Sequence, residues 1–256
     1  MHLSVVIPAR DEAGNIGPVL TRLGEVLRRE AIPYEIVVVD DGSADATAHA
    51  VLQCQEHDRC VHLVTNPGRH GFGMAVRAGL AAVRGDAVAI MMADGSDAPE
   101  DLVHYYRKLQ EGADCVFGSR FIRGSRIIDY PPHKLLLNRL ANLFIRLIFR
   151  FAYNDTTNAF KCYRRSVVEG MEPLISPHFN LTVEMPLKAI VRGYSYVVIP
   201  ISWTNRKTGV SKLKIKEMGS RYLFIVLYLW LEKHLARGDY NRRYREMTEP
   251  AGSRHA

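Results

Sequence analysis

EIVVVDDGSADATAHAVLQCQ, residues 35–55, decides the fold class of this chain. A short apolar run rich in valine is followed by two acids, a polar turn and a segment whose apolar residues recur at three- and four-residue steps. Short β-branched runs without alternation are typical of strands buried on both faces of a sheet. The stretch therefore predicts a buried strand that ends in an acidic turn and is followed by an amphipathic helix.

The same unit recurs through the first half of the chain. Further apolar runs that predict strands lie at 3–8, 61–65, 87–92 and 114–118. Segments 17–30 and 73–85 between them carry apolar residues at helical spacing. Strand–helix alternation of this kind gives right-handed crossovers and a mostly parallel, doubly wound sheet. Ligands of such sheets bind at the carboxyl ends of the strands.

The composition is that of a folded chain with anionic partners. The 256 residues are 47% apolar and 24% charged, which suits one main α/β domain. A formal net charge of +7 favours phosphates, nucleic acid or an acidic membrane surface without choosing among them. Four cysteines without metal-site spacing indicate free thiols in a reducing compartment. The first apolar run is too short for a signal peptide, so we expect a cytoplasmic protein.

Pairs of acids follow three of the predicted strands. They are Asp11 and Glu12, Asp40 and Asp41, and Asp94 and Asp97. Any one pair could be a solvated turn, and Asp97 could cap a helix that has Pro99 in its first turn. Because all three pairs lie at one edge of the sheet, they instead favour a common site that binds a cation.

Other nucleotide and hydrolase motifs are absent or incomplete in the sequence. In GRHGFGMAVRAG (68–79) the third glycine of a dinucleotide fingerprint is replaced by Val76, and the motif follows strand three instead of strand one. Neither a Walker A sequence nor a G-x-S-x-G motif occurs. The sequon at 154–156 is discounted, because a cytosolic chain does not meet the glycosylation machinery.

Two apolar segments in the second half carry basic residues. Segment 133–153 predicts an amphipathic helix, and segment 220–238 has an apolar run about half as long as a membrane span. Each could be a buried core helix, but the basic flanks favour a membrane surface. The tail 239–256 is polar and is predicted to be loose.

Eight blocks in order resemble one known family. They are LSVVIPARDEAGNI, EIVVVDDGSADAT, NPGRHGFGMAVRAGL, ADGSDAPEDL, FGSRFIRG, NDTTNAFKCYRR, FNLTVEMPLKAIVRGY and NRKTGVSKL. Together they resemble a family 2 glycosyltransferase, in particular its dolichol-phosphate mannosyltransferase (polyprenyl-phosphate glycosyltransferase) branch. The resemblance implies a GT-A domain over 1–215, followed by a membrane-proximal helix at 216–238. It also implies inverting transfer of a sugar from GDP-mannose or a UDP-hexose to dolichyl or undecaprenyl phosphate.

The resemblance also assigns the donor half of the site. The residues it places around the nucleotide sugar are Pro8, Ala9, Asp11, Glu12, Asp40, Asp41, Arg69, Gly71 and Asp94. The cofactor it implies is Mg²⁺ or Mn²⁺, with Asp94 as the second acid of the family's D-x-D motif. The first acid is replaced by Met92. Either Asp97 or the Ser96 hydroxyl completes the metal site, or the diphosphate and Asp94 hold most of it.

The acceptor half is assigned to basic residues. Two anions must meet there, so cations are needed beside each. The candidates for the acceptor phosphate are Arg120, Lys134, Arg139, Arg206 and Lys212, and the catalytic candidates are Asp94, Arg120 and Arg206. The expected partners are a nucleotide-diphosphate sugar, a polyprenyl phosphate, the cytoplasmic face of a membrane and optionally a second copy of the chain, but not nucleic acid. Competing functions are a family 2 transferase with a soluble, polysaccharide or protein acceptor, and a weakly active nucleotide-sugar-binding module at a membrane.

Overall fold

The computed structural model describes residues 1–205 and 215–242. The strands are β1 Leu3–Ala9, β2 Tyr34–Asp40, β3 Val61–Thr65, β4 Ala87–Ile90, β5 Cys115–Ser119, β6 Arg126–Ile128, β7 Lys161–Arg164, β8 Tyr196–Pro200 and β9 Ser202–Thr204. The helices are α1 Ala13–Arg29, α2 Thr47–His57, α3 Phe72–Ala82, α4 Pro99–Gln110, α5 Pro132–Phe149, α6 Arg165–Gly170, α7 Leu181–Val191 and α8 Ile215–Leu235. All five predicted strands and the predicted helices are present, with bounds that differ by a few residues.

Seven of the described strands form one sheet in the order β3-β2-β1-β4-β7-β5-β8. Neighbouring strands are parallel except around β7, which is antiparallel to both β4 and β5. The prediction of a mostly parallel sheet is confirmed, whereas strands β6 to β9, which include the antiparallel strand in the middle of the sheet, were not predicted from the sequence. A second small sheet pairs β6 with β9.

Apolar side chains cover both faces of the large sheet. On one face, β1, β2 and β4 pack against α1, α2 and α4 around fully buried residues such as Val5 and Leu23. On the other face, the same strands and β5 pack against α3, α6 and α7 around Phe117 and Met185. Two-sided burial explains why the strands are continuous apolar runs without alternation.

The two apolar helices of the second half pack together instead of standing alone. Helices α5, α7 and α8 share a third apolar cluster that includes Ile145, Leu187 and Ile225. Arg192, after α7, donates to the Glu232 carboxylate on α8 at 2.8 and 3.1 Å, and both side chains are buried. Helix α8 is therefore attached to the main domain. Within the described residues, we find no helix with the length and hydropathy of a bilayer span.

Candidate active site

The loops after β1 and β2 form one hydrogen-bonded unit at the carboxyl edge of the sheet. The Asp11 N–H donates to the Ser43 hydroxyl at 3.0 Å, and the Asp11 carboxylate accepts from the Ala44 N–H at 2.8 Å. The Glu12 N–H donates to Thr47 Oγ1 at 2.8 Å. These loops therefore lie side by side, as the parallel register of β1 and β2 requires. Pro8 and Ala9 are buried at the end of β1 beneath them.

The two acids that end β2 have different surroundings. Asp40 is half-buried and accepts hydrogen bonds from the N–H and the hydroxyl of Ser43, at 3.0 and 2.5 Å. Asp41 is buried and accepts from Asn66 Nδ2 at 2.6 Å and from the Gly71 N–H at 2.8 Å. Asp41 thus holds the loop before α3 in place. Its predicted contact with the nucleotide stays a prediction.

Two glycines at the start of α3, the N-cap residue Gly71 and the first-turn residue Gly73, allow a close backbone contact. Gly71 has φ = 147°, and a Cβ at this position would lie 2.5 Å from the Pro177 carbonyl oxygen. A Cβ at Gly73 would lie 2.2 Å from the carbonyl oxygen of Ser176. Both glycines therefore let the loop before α3 approach the segment before α7. Arg69 is exposed in the same loop, and its nucleotide role, like that of Gly71, stays a prediction.

The turn after β4 brings two carboxylates close together. Asp94 Oδ1 accepts from the Ser96 N–H at 3.1 Å, and Asp97 Oδ2 accepts from the Met92 N–H at 3.0 Å. Asp97 is only 4% exposed. Burial, together with the charge of Asp94, raises the pKa of Asp97 to about 7. The Asp97 carboxylate thus accepts from the backbone N–H of Met92, the residue that replaces the first acid of the D-x-D motif.

The alternative that Asp97 caps helix α4 does not agree with the structure. The N-cap residue is Ala98, whose carbonyl accepts from the Asp101 N–H at 3.1 Å, and no side chain caps the helix. Pro99 does occupy the first turn, as expected. The Asp97 carboxylate instead stabilises the turn that carries Asp94.

The oxygen donors of this turn fit a hard divalent cation only in part. Carboxylates are the ligands that Mg²⁺ and Mn²⁺ prefer. In residues 1–205 and 215–242, no three His, Cys, Asp or Glu side chains lie close enough to hold a metal ion. Magnesium is commonly bound by one or two carboxylates, with the remaining ligands from substrate phosphates and water. Asp94 with Asp97 or Ser96 matches that arrangement.

Arg120, at the end of β5, is the centre of a buried ion pair. Its Nε and Nη2 donate to the two carboxylate oxygens of Asp155 at 2.8 and 2.7 Å, and its backbone N–H donates to Asp155 at 2.9 Å. The two side chains are 7% and 0% exposed. Although burial alone would lower it, the charge of Asp155 raises the pKa of Arg120, so the guanidinium is protonated.

Aromatic rings surround this ion pair. The Arg120 guanidinium carbon lies 5.4 to 5.8 Å from the ring centres of Phe121, Tyr130 and Trp203. The guanidinium of Arg139, on α5, lies 4.9 Å from the Phe121 ring centre. Two of the predicted acceptor cations therefore share one aromatic ring. Lys134 lies in the first turn of α5, and Arg206 and Lys212 lie outside the described residues.

Asp155 is the functional candidate that the sequence analysis missed. It lies in the discounted sequon and in the block NDTTNAFKCYRR that contributes to the family resemblance, but neither assigned it a role. The polar run NDTTN, residues 154–158, between an apolar helix and a buried strand is a further signal in the sequence. Its partner Arg120 is 35 residues away, so spacing alone could not reveal the pair.

Comparison with known proteins identifies relatives over most of the chain. Residues 4–171 match the family model described as glycosyl transferase family 2. The chain is 34% identical over 217 residues to a polyprenol monophosphomannose synthase of Mycolicibacterium smegmatis, covering 82% of this chain and 80% of that one. It is 30% identical over 220 residues to a dolichol-phosphate mannosyltransferase of Pyrococcus furiosus, covering 84% of this chain and 60% of the length of that relative.

Solved structures share the fold at lower identity. Glucosyl-3-phosphoglycerate synthase from Mycobacterium tuberculosis in complex with UDP superposes with a TM-score of 0.69 at 18% identity, over 90% of this chain and 80% of that chain. The same enzyme with Mn²⁺, UDP-glucose and phosphoglyceric acid gives a TM-score of 0.70 at 16% identity, over 90% and 79%. Similarity at this level establishes the GT-A fold and nothing more specific.

Proposed function

The chain belongs to glycosyl transferase family 2, and from this premise we propose that it transfers a sugar from a nucleotide-diphosphate sugar to a polyprenyl phosphate. The two curated relatives, whose names specify polyprenyl-type acceptors, support this acceptor class. The observation that carries the proposal is the pair of guanidinium groups beside Phe121. Buried Arg120 and exposed Arg139 both lie over this ring, and Arg139 stands on a helix whose outer face is apolar.

The proposed reaction needs no general base. A phosphate oxygen of the acceptor forms the new bond to the anomeric carbon, while the bond from that carbon to the nucleoside diphosphate breaks. The diphosphate leaves with the electron pair, and no proton has to move, because the acceptor phosphate is already anionic at neutral pH. The protein has to align the two anions and balance their charge.

The donor half would balance the charge of the leaving group. Asp94, with Asp97 or Ser96, would hold Mg²⁺ or Mn²⁺, which would neutralise the diphosphate when bound. The fused loops that carry Asp11 and Asp40 would form the wall against which the nucleoside lies.

The acceptor half would receive the lipid phosphate beside Phe121. Asp155 already compensates the charge of Arg120, so Arg120 would act mainly through its fixed position. Arg139 is exposed, stands over the same ring and would add the compensating charge. A guanidinium grips a phosphate with parallel hydrogen bonds, which a lysine cannot do.

An apolar surface next to the acceptor half supports peripheral contact with a membrane. We call the outer sides of α5 and α8 the apolar face. Its exposed side chains are Leu136, Leu137, Leu140, Leu143, Phe144, Leu147, Leu223, Phe224, Leu227, Leu231 and Leu235. Basic residues on or just beyond the same two helices include Lys134, Arg139, Arg150, Lys233 and Arg237. Apolar patches this large are rare on monomers, and basic borders suit anionic headgroups.

Sugar-transfer assays test the proposed reaction directly. Purified protein is incubated with GDP-mannose or with a panel of UDP-hexoses, together with polyprenyl phosphate in detergent or 3-phosphoglycerate in water. We expect a lipid-linked sugar that forms with Mg²⁺ or Mn²⁺ and disappears in excess EDTA. Transfer to the soluble acceptor alone would contradict the proposed acceptor. Full activity in EDTA would contradict the proposed cation.

Vesicle flotation tests the apolar face. The double variant Leu140→Ser/Leu147→Ser is compared with Leu52→Ser, which changes a leucine of similar exposure on α2. We expect wild type and Leu52→Ser to float with anionic vesicles less well as salt rises, and the double variant to float poorly. Equal flotation of all three proteins would remove the apolar face from membrane binding. A wild-type dimer that the double variant abolishes would show that a second copy covers it.

A further inference from the structure

Lys161 is a buried cation to which the proposed reaction assigns no role. It begins β7, the antiparallel strand, and it is 1% exposed. Its ammonium donates to the carbonyl oxygens of Thr156 at 3.1 Å, Thr182 at 3.2 Å and Asn158. An ammonium has three N–H donors and no acceptor, so three carbonyl oxygens satisfy it fully. Among the described residues, no carboxylate bonds it directly. Burial lowers its pKa to about 7.

Two of these carbonyls belong to the loop that carries Asp155. We call residues 154–158 the Asp155 loop. The loop is also held by Asn142 on α5, whose Oδ1 accepts from the N–H and hydroxyl of Thr156, each at 2.6 Å. Asn154 accepts from the Ser119 hydroxyl at 2.6 Å. Lys161 on β7 and Ser119 on β5 thus both bind this loop from the sheet.

The third carbonyl, that of Thr182, is available to Lys161 because α7 contains a proline. Pro186 lies inside α7, four residues after Thr182. Proline has no N–H, so the carbonyl of Thr182 lacks its usual helical hydrogen bond. The ammonium of Lys161 supplies the missing donor. Lys161 therefore joins the first turn of α7 to the Asp155 loop, and through Asp155 it is connected to Arg120.

We propose that Lys161 is a positioning residue for the acceptor half of the site: it fixes the Asp155 loop against α7, so that Asp155 presents Arg120 at the end of β5. The assignment of Arg120 to the acceptor rests on the proposed function. Fixing of the loop itself does not. Without the ammonium, three buried carbonyls lose a donor together, and the Asp155 loop is held beside the strand end by fewer contacts.

Kinetics of Lys161→Met test the positioning role. Methionine has a similar length and no charge. We expect kcat for transfer to polyprenyl phosphate to fall by about tenfold or more, while the dissociation constant of the nucleotide sugar changes by less than about twofold. Lys161→Arg, which keeps a multi-donor cation, should recover part of kcat. Tyr163→Phe is the matched control, because this hydroxyl lies two residues along the same strand, is buried and makes no hydrogen bond within the described residues. Its kcat should stay within about twofold of wild type.

A second substitution separates positioning from stability. Pro186→Ala restores an N–H for the carbonyl of Thr182, so Lys161→Met/Pro186→Ala should regain part of the melting temperature lost in Lys161→Met. Its kcat should stay low, because Thr156 and Asn158 still lack their donor. Recovery of kcat along with stability would overturn the proposal. Loss of nucleotide-sugar affinity by the same factor as kcat would also overturn it. If Lys161→Met does not fold, the double variant takes its place in every assay.

Hydrogen exchange gives a readout that does not depend on the acceptor. In Lys161→Met, the backbone amides of residues 154–158 should exchange faster than in wild type, while those of the loops after β1 and β2 stay unchanged. Unchanged exchange in the Asp155 loop would overturn the positioning role. If wild type transfers nothing to polyprenyl phosphate but the exchange prediction holds, the proposed acceptor fails and the role of Lys161 stands.

Discussion

The donor half and the acceptor half of the site are held together by different kinds of interaction. On the donor side, carboxylates such as Asp11 and Asp40 accept hydrogen bonds from hydroxyls and backbone N–H groups near the surface. On the acceptor side, Arg120 and Asp155 are buried charges that bond each other. Surface contacts of the first kind contribute little to stability, whereas a buried charge that loses its partner is costly. We therefore expect donor-side substitutions to affect mainly activity and acceptor-side substitutions to affect both activity and folding.

Asp155→Ala should give the largest effect. It leaves Arg120 buried without its counter-ion, so the free energy of unfolding should fall by about 3–5 kcal/mol and transfer should be lost. Urea unfolding measures the first quantity and the sugar-transfer assay measures the second. The double variant Arg120→Met/Asp155→Leu should recover much of the stability but no transfer. A loss below about 1 kcal/mol in the single variant would show that the pair is not a structural unit.

Asp94→Ala should reduce activity strongly without reducing stability. We expect transfer to fall by at least about 100-fold, which corresponds to about 2.7 kcal/mol in the activation free energy. The free energy of unfolding should change by less than about 0.5 kcal/mol, because Asp94 is only partly buried in a turn. Asp86→Ala is the control, since it removes an exposed carboxylate at the opposite end of β4. If Asp94→Ala lowered the free energy of unfolding as much as Asp155→Ala does, the donor half and the acceptor half would not differ in their contribution to stability.

The same difference explains what could be predicted from the sequence. The strands and the donor-side acids were predictable, because apolar runs and the acids after them are local patterns and parallel strands bring their ends together. The antiparallel strand β7 was not predictable, because it has only four residues and is not an apolar run. It begins with a lysine, which is charged in water but is buried in the fold. Asp155 was missed because its role depends on a partner 35 residues away. The sequence left two roles open for Asp97, helix cap or metal ligand. The structure excludes the first, because Ala98 is the N-cap residue of α4.

Gly71→Ala tests whether the donor side also has a point where the fold is rigid. The residue has φ = 147°, and the added Cβ would lie 2.5 Å from a backbone oxygen of Pro177. We expect the free energy of unfolding to fall by about 1–3 kcal/mol, as is usual for a side chain forced into this backbone region. Gly17→Ala is the opposite case, because it lies inside α1 and its added Cβ meets no other described part of the chain within 4 Å. It should raise stability by about 0.5–1 kcal/mol. Equal effects of the two substitutions would mean that the loop before α3 shifts to accept the methyl group.

The smallest effect is expected for an ion pair that resembles Arg120–Asp155 in chemistry but not in burial. Arg22 on α1 donates through Nη2 to both carboxylate oxygens of Glu100 on α4, at 3.2 and 2.9 Å. The two side chains are 60% and 45% exposed, against 7% and 0% for the buried pair. Water and salt screen the exposed charges, so a double-mutant cycle on Arg22→Ala and Glu100→Ala should give a coupling of about 0.2–1 kcal/mol.

Raising the salt concentration should further distinguish the exposed Arg22–Glu100 pair from the buried Arg120–Asp155 pair. We expect the coupling between Arg22 and Glu100 to fall towards zero as salt rises from about 0.01 M to about 1 M, because the screening length shrinks from about 30 Å to about 3 Å. The coupling between Arg120 and Asp155, measured by the same cycle, should stay above about 2 kcal/mol throughout, because no ions enter between buried groups. If both couplings are small and equally sensitive to salt, burial is not what distinguishes the acceptor side. Asp155 would then hold Arg120 only weakly, and the aromatic rings around Arg120 would be left as the main contacts that fix its position.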